Sequence, residues 1–110
     1  MSDNKLIGNW GEKLASALLY SKGYQILDQN FRCKLGEVDL IVQRDDVISL
    51  VEVKTREDDV AGVPAEAVGK EKQQRIRRIA EYYLMKNRIR DVYVSFQVIQ
   101  IRIDHIENAF

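Results

Sequence analysis

The sequence predicts one mixed α/β domain with the element order α-β-β-β-α-β. Three observations carry that expectation. Two stretches repeat apolar residues at helical spacing, two alternating segments flank Asp45-Asp46, and further alternating residues follow the second helix. A length of 110 residues suits a single core, so residues 1–110 are read as one domain.

The elements follow in order. Ser2 or Asp3 caps a first helix that runs to about Lys22 and stops at Gly23, a residue favoured just past a helix end. Ile7, Trp10, Leu14, Ala17 and Leu18 recur at helical spacing and form its expected buried stripe. Tyr24 to Phe31 is rich in strand formers, and Lys34-Leu35-Gly36 reads as a turn. Glu37 to Gln43 and Val47 to Lys54 then form a hairpin about Asp45-Asp46.

Residues 55–64 hold the lone proline and are expected as an exposed loop. A long helix is expected from about Ala65 to Asn87, with Val68, Ile76, Ile79, Ala80 and Tyr83 on one face. Beyond it, Val92, Val94, Phe96 and Val98 alternate in one phase, and Ile99, Ile101 and Ile103 in the other. Strand side chains have a period of two, so the slip predicts a bulge or tight turn near Val98.

Composition narrows the function classes. Seventeen basic residues balance seventeen acidic ones, which excludes a global polycation but not a local patch. Cys33 is the sole cysteine, so no intrachain disulfide forms and a reducing cytoplasm is expected. The first residues lack the apolar core of a signal peptide, and no run is long enough to span a bilayer. No membrane partner is expected.

The hairpin concentrates the chemistry. If Asp45-Asp46 are the two loop residues, Arg44 faces Val47, Asp39 faces Glu52, and Glu37 faces Lys54. Two opposed carboxylates repel unless a cation sits between them. Hard oxygen donors suit Mg2+ or Mn2+, which retain water and can activate it against a phosphate. Lys54 on the same face would orient that water or neutralise the charge developing on phosphate. The bland reading is a half-exposed strand with ordinary ion pairs, and the opposed Asp39 and Glu52 count against it.

These residues also carry a resemblance. Asp39 with Glu52-Val53-Lys54 resembles the PD-(D/E)xK signature of the restriction-endonuclease-like fold, whose αβββαβ core has a mixed central sheet flanked by helices. GEKLA at 11–15, GYxIL at 23–27, NFR at 30–32, GEVDLI at 36–41, VEVKTR at 51–56, KQQRIRRIAEYYL at 72–84 and HIENAF at 105–110 resemble the bacterial YraN-type family, related to archaeal Holliday-junction resolvases. The resemblance implies that Asp39, Glu52 and Glu12 bind the metal and that Lys54 serves the catalytic step. From periodicity alone, Glu12 is an ordinary glutamate on the polar side of the first helix. The resemblance also implies a metal-dependent endonuclease cutting DNA phosphodiester bonds, branched structures included, and acting as a homodimer. The alternative is a nucleic-acid-binding or protein-interaction module of the same fold that does not cut. Where relatives carry Arg-Phe-Asp-Val, this chain reads Ser95-Phe96-Gln97-Val98.

Between Val68 and Arg90 lie eight basic residues and two acidic ones. Lys70, Lys72, Arg75, Arg77 and Arg78, with Gln73 beside them, are the expected nucleic-acid contacts. Trp10 is expected in the core, and His105 in a structural or surface role.

Overall fold

The computed structural model describes residues 2–57 and 69–110. The order is α1 (Ser2–Ser21), β1 (Gln25–Cys33), β2 (Gly36–Arg44), β3 (Val47–Glu57), α2 (Lys70–Lys86) and β4 (Tyr93–Ile103). The expected α-β-β-β-α-β succession is therefore the observed one. Residues 58–68, holding most of the expected loop and the expected start of the second helix, lie outside the described residues. Thr55–Glu57, expected in that loop, instead continue β3.

The strands form one sheet in the order β1-β2-β3-β4. β1 with β2 and β2 with β3 are antiparallel, and β3 with β4 is parallel. A parallel pair needs a crossover, which α2 supplies. The hairpin register is the one the turn dictates, with Arg44 opposite Val47 and Leu40 opposite Val51. Asp45 adopts φ 55°, a left-handed conformation that aspartate tolerates better than most residues.

Both sheet faces are covered. On one, Ile76, Ile79, Ala80 and Tyr83 of α2 pack on Phe31, Val38, Ile41, Ile48 and Leu50. On the other, Ala15 and Leu19 of α1 pack on Leu40, Val42 and Val51. Burial on both faces explains why β2 and β3 read as near-continuous apolar runs.

The contact face of α1 corrects the expected stripe. Gly11, Ala15 and Leu19 are buried, whereas Trp10 is 58% exposed, Leu14 56% and Leu18 42%. Ile7 is half-buried and Ala17 exposed. The helix meets the sheet through its small residues, because close approach needs them there. A Cβ on Gly11 would collide with Thr55 Oγ1 of β3. Lys13 Nζ lies 5.1 Å from the Trp10 ring centroid, so that indole sits beside a cation rather than in the core.

β4 also departs from expectation. It runs unbroken in parallel register from Val47↔Tyr93 to Glu57↔Ile103, with no bulge near Val98. The two apolar phases serve opposite faces instead. Phe96 packs with the α2 core, while Ile99 and Ile101 pack with the α1 core. The polar substitutions in this strand have partners. Ser95 and fully buried Ser49 share a 2.6 Å hydroxyl hydrogen bond, and Gln97 Nε2 donates to Ser49 Oγ and Tyr24 Oη, each at 3.2 Å. A neutral network thus stands where relatives were expected to carry charges.

The Gly11 contact yields a stability test. Gly11→Ala is expected to cost about 1–3 kcal/mol through overpacking against Thr55. Urea denaturation should show the loss, and adding Thr55→Ala should recover most of it. An unchanged midpoint in the single variant would contradict the close α1–β3 approach.

Candidate metal and nucleic-acid site

The acidic residues gather where β2 and β3 part. Regular pairing runs from Arg44↔Val47 to Leu40↔Val51 and goes no further. Asp39 and Glu52 are therefore not a directly opposed ladder pair, as the extrapolated register required. In the fork beyond, the Val53 N–H donates to Asp39 Oδ2 at 2.7 Å. A side chain thus takes the place of a backbone acceptor, which anchors Asp39.

The helices bring charge to this fork from opposite faces. Glu12 of α1 approaches Asp39 and bonds with the Asn30 side chain. Asn30 adopts φ 52° in β1, opposite the start of the fork. On the α2 face, Glu52 is held by Lys72, whose Nζ lies 2.9 Å from both carboxylate oxygens. Lys54 shares the Glu52 face, is half-buried, and lies beside Gln100 of β4. Glu37, expected opposite Lys54, instead pairs with Arg32 of β1 at 3.0 Å.

The electrostatics follow from that placement. Burial raises the Asp39 carboxyl from its ordinary value, and Glu52 and Glu37 add to the rise. The Val53 N–H and, more weakly, Lys72 oppose it. Burial also raises Glu12, with Asp39 the next cause, while the Asn30 bond pulls the other way and Glu37 adds a smaller rise. Asp39 is the hinge of the cluster, coupled to Glu12 on one side and Glu52 on the other.

The donor chemistry fits a small hard cation. Mg2+ and Mn2+ take carboxylate oxygen and retain water, so one or two carboxylates suffice. Among the described residues no three His, Cys, Asp or Glu groups are arranged to hold an ion. The expected set of Asp39, Glu52 and Glu12 is therefore not gathered into one three-carboxylate site: Asp39 interacts with Glu12 towards α1 and with Glu52 towards α2, and the latter pair is the one a small cation would use. Glu52 would have to leave Lys72 to hold such a cation. The Lys72 contact had no signal in the sequence, since it links residues 20 apart on different elements.

The expected basic flank divides in two. Gln73 and Arg77 line a groove of ≈ 620 Å³ between α2 and β4, with Ile76, Leu84, Val94 and Phe96 among its walls. Lys70 precedes Gln73 by three residues and is exposed, so it extends that row. Arg75 lies on the other flank, its stem 3.5 Å from the Cβ position of Gly36, and exposed Arg78 follows it by three. The groove is larger than the cleft at Glu12, Lys13 and Asn30, yet Asp39, Glu52 and Glu12 do not line it. The expected acidic residues thus gather at the fork and not in the larger groove.

Residues 11–107 match an uncharacterised protein family, UPF0102. The chain belongs to UPF0102. A UPF0102 protein of Alkaliphilus oremlandii is 47% identical, covering 97% of this chain and 99% of its own length. One from Clostridioides difficile is 42% identical over 98% and 99%. Another, from Caldanaerobacter subterraneus, is 40% identical over 98% and 97%. UPF0102 is the YraN-type family of the resemblance. No helix among the described residues of this UPF0102 chain is long and apolar enough to cross a membrane.

The raised carboxyls have a pH signature. Between the unfolded and folded pKa values of Asp39 the folded chain binds more protons, so this group's contribution to stability falls as pH rises through that window. Asp39→Asn keeps an oxygen for the Val53 N–H and removes the charge. The stability of the variant relative to wild type should therefore increase from pH 4 to pH 7 in metal-free buffer. A constant difference across that range, read by urea denaturation, would contradict the coupling.

Proposed function

We propose that this chain is a metal-dependent nuclease that hydrolyses DNA phosphodiester bonds, with branched structures among its substrates. The observation that carries the reading is the fork, where Asp39 is anchored by Val53 N–H between Glu12 and Glu52, with Lys54 two residues further along β3. Bound at Asp39 and Glu52, Mg2+ or Mn2+ would supply Lewis acidity and a water acidified towards hydroxide. The Lys54 ammonium stabilises negative charge on the non-bridging phosphate oxygens as water oxygen bonds to phosphorus and the bond to the leaving sugar oxygen breaks. Glu12 adds a third carboxylate beside Asp39. Lys70, Arg75, Arg77 and Arg78 contact backbone phosphates, and their split over two flanks of α2 suits strands that diverge. A symmetric pair of copies would match a branched substrate.

A second reading is a module of the same fold that binds nucleic acid without cutting. The Lys72–Glu52 pair favours it, because a cation already satisfies that carboxylate.

Calorimetric Mn2+ titration and cleavage assays on branched, flapped and linear DNA test the first reading. Asp39→Ala and Glu52→Ala should each lose Mn2+ binding and cleavage while keeping DNA affinity. Cleavage retained in Glu52→Ala overturns the site. For the basic flanks, Arg75, Arg77 and Arg78 changed together to Ala should weaken DNA binding. The slope of log affinity against log salt should flatten by about 3, near 0.9 per lost phosphate contact. An unchanged slope assigns those arginines to solvent alone.

A further inference from the structure

We propose that Lys72 is the resting counter-ion of Glu52, a positioning residue that competes with a divalent cation for that carboxylate and sets the affinity of the site. The inference rests on the metal-site reading above and names a control on it.

Lys72 Nζ contacts both Glu52 oxygens at 2.9 Å, so the ammonium claims the whole carboxylate rather than one edge of it. The pair is neither buried nor freely solvated, with side chains 34% and 29% exposed. Water and ions can reach it, yet bulk solvent does not fully screen it. Its geometry is built by the core on either side. Lys72 stands four and seven residues before Ile76 and Ile79, at a position of the α2 face that packs on the sheet. Glu52 stands two residues past Leu50, on the β3 face that receives those isoleucines. Packing of the two apolar rows therefore delivers the charged pair at their common end.

The contact has a consequence for any hard cation. A lysine ammonium is a compact point charge on a flexible stem, so it can hold a carboxylate and release it without moving the helix. A divalent ion at Glu52 must displace it, because both cannot use the same two oxygens and like charges repel. The same ammonium lowers the cost of gathering Asp39 and Glu52 while no ion is present, and it is among the groups that pull Asp39 downward. Lys72 thus protects the empty cluster and weakens the filled one.

The test compares wild type, Lys72→Met and Lys72→Arg by Mn2+ calorimetry, with circular dichroism confirming the fold. Removing one cation from a partly exposed pair should tighten Mn2+ binding about tenfold, the lower end of what an adjacent charge does to an ionic equilibrium. Lys72→Arg keeps the charge and should bind no more tightly than wild type. Independently, the nitrogen resonance of the Lys72 ammonium should report a held ion pair without metal and lose it at saturating Mg2+. Unchanged or weaker Mn2+ binding in folded Lys72→Met overturns the competition and leaves the metal site standing. Absence of binding in every variant overturns the site and the competition together. Should Lys72→Met fail to fold, an ammonium signal that persists at saturating Mg2+ overturns the proposal by itself.

Discussion

The hydrogen bond from Val53 N–H to Asp39 Oδ2 is the interaction on which the site depends. Where β2 and β3 stop pairing, a backbone donor at the fork needs an acceptor, and leaving it bare would cost about 1–3 kcal/mol if buried. The Asp39 carboxylate satisfies it. In doing so it becomes fixed at an end of the β2–β3 pair that lies between Glu12 of α1 and Lys72 of α2. Glu12, Glu52 and Lys72 then converge on Asp39 because each is positioned by packing elsewhere, through Ala15 and Leu19 for α1 and through Ile76 and Ile79 for α2.

Such a site is held against electrostatic resistance. Several carboxylates share a half-dry fork, and the neighbouring cations blunt their repulsion rather than cancel it. Lys72 answers Glu52, Arg32 answers Glu37, and Asp39 is left with a raised carboxyl. The surrounding sheet tolerates the strain because its centre is dry, with Leu40, Ile41, Leu50 and Val51 almost wholly buried.

Much of this was legible in the sequence, and the failures share a cause. The hairpin register followed from a two-residue turn, since period-two geometry carries a local fact along both strands. It failed at Asp39 and Glu52, where the strands diverge, because a turn cannot report on a fork several residues away. The buried face of α1 was misread because hydrophobicity favours Trp10 and Leu14, whereas close helix–sheet approach favours Gly11 and Ala15. The phase change in β4 looked like a bulge because a strand covered on both faces shows apolar residues in both registers. The resemblance and not periodicity singles out Glu12, and the Lys72–Glu52 pair carries no sequence signal because its members lie on different elements. Contacts between elements remain invisible to local pattern, and they make up most of the site.

The parallel pairing of β3 with β4 has a kinetic consequence. The β1–β2–β3 meander closes through short turns, but Ser49 and Ser95, joined across the parallel pair, are 46 residues apart. Closing so long a segment costs chain entropy before its contacts return anything, so non-local pairings form slowly. The meander is thus the natural nucleus, with β4 docking late onto a preformed β3. The acidic fork lies between the early strands, while its lysine counter-ion arrives with the late crossover helix. A nascent chain therefore exposes Glu52 before it owns the lysine that pairs with it, and the early meander carries that carboxylate unneutralised until α2 docks.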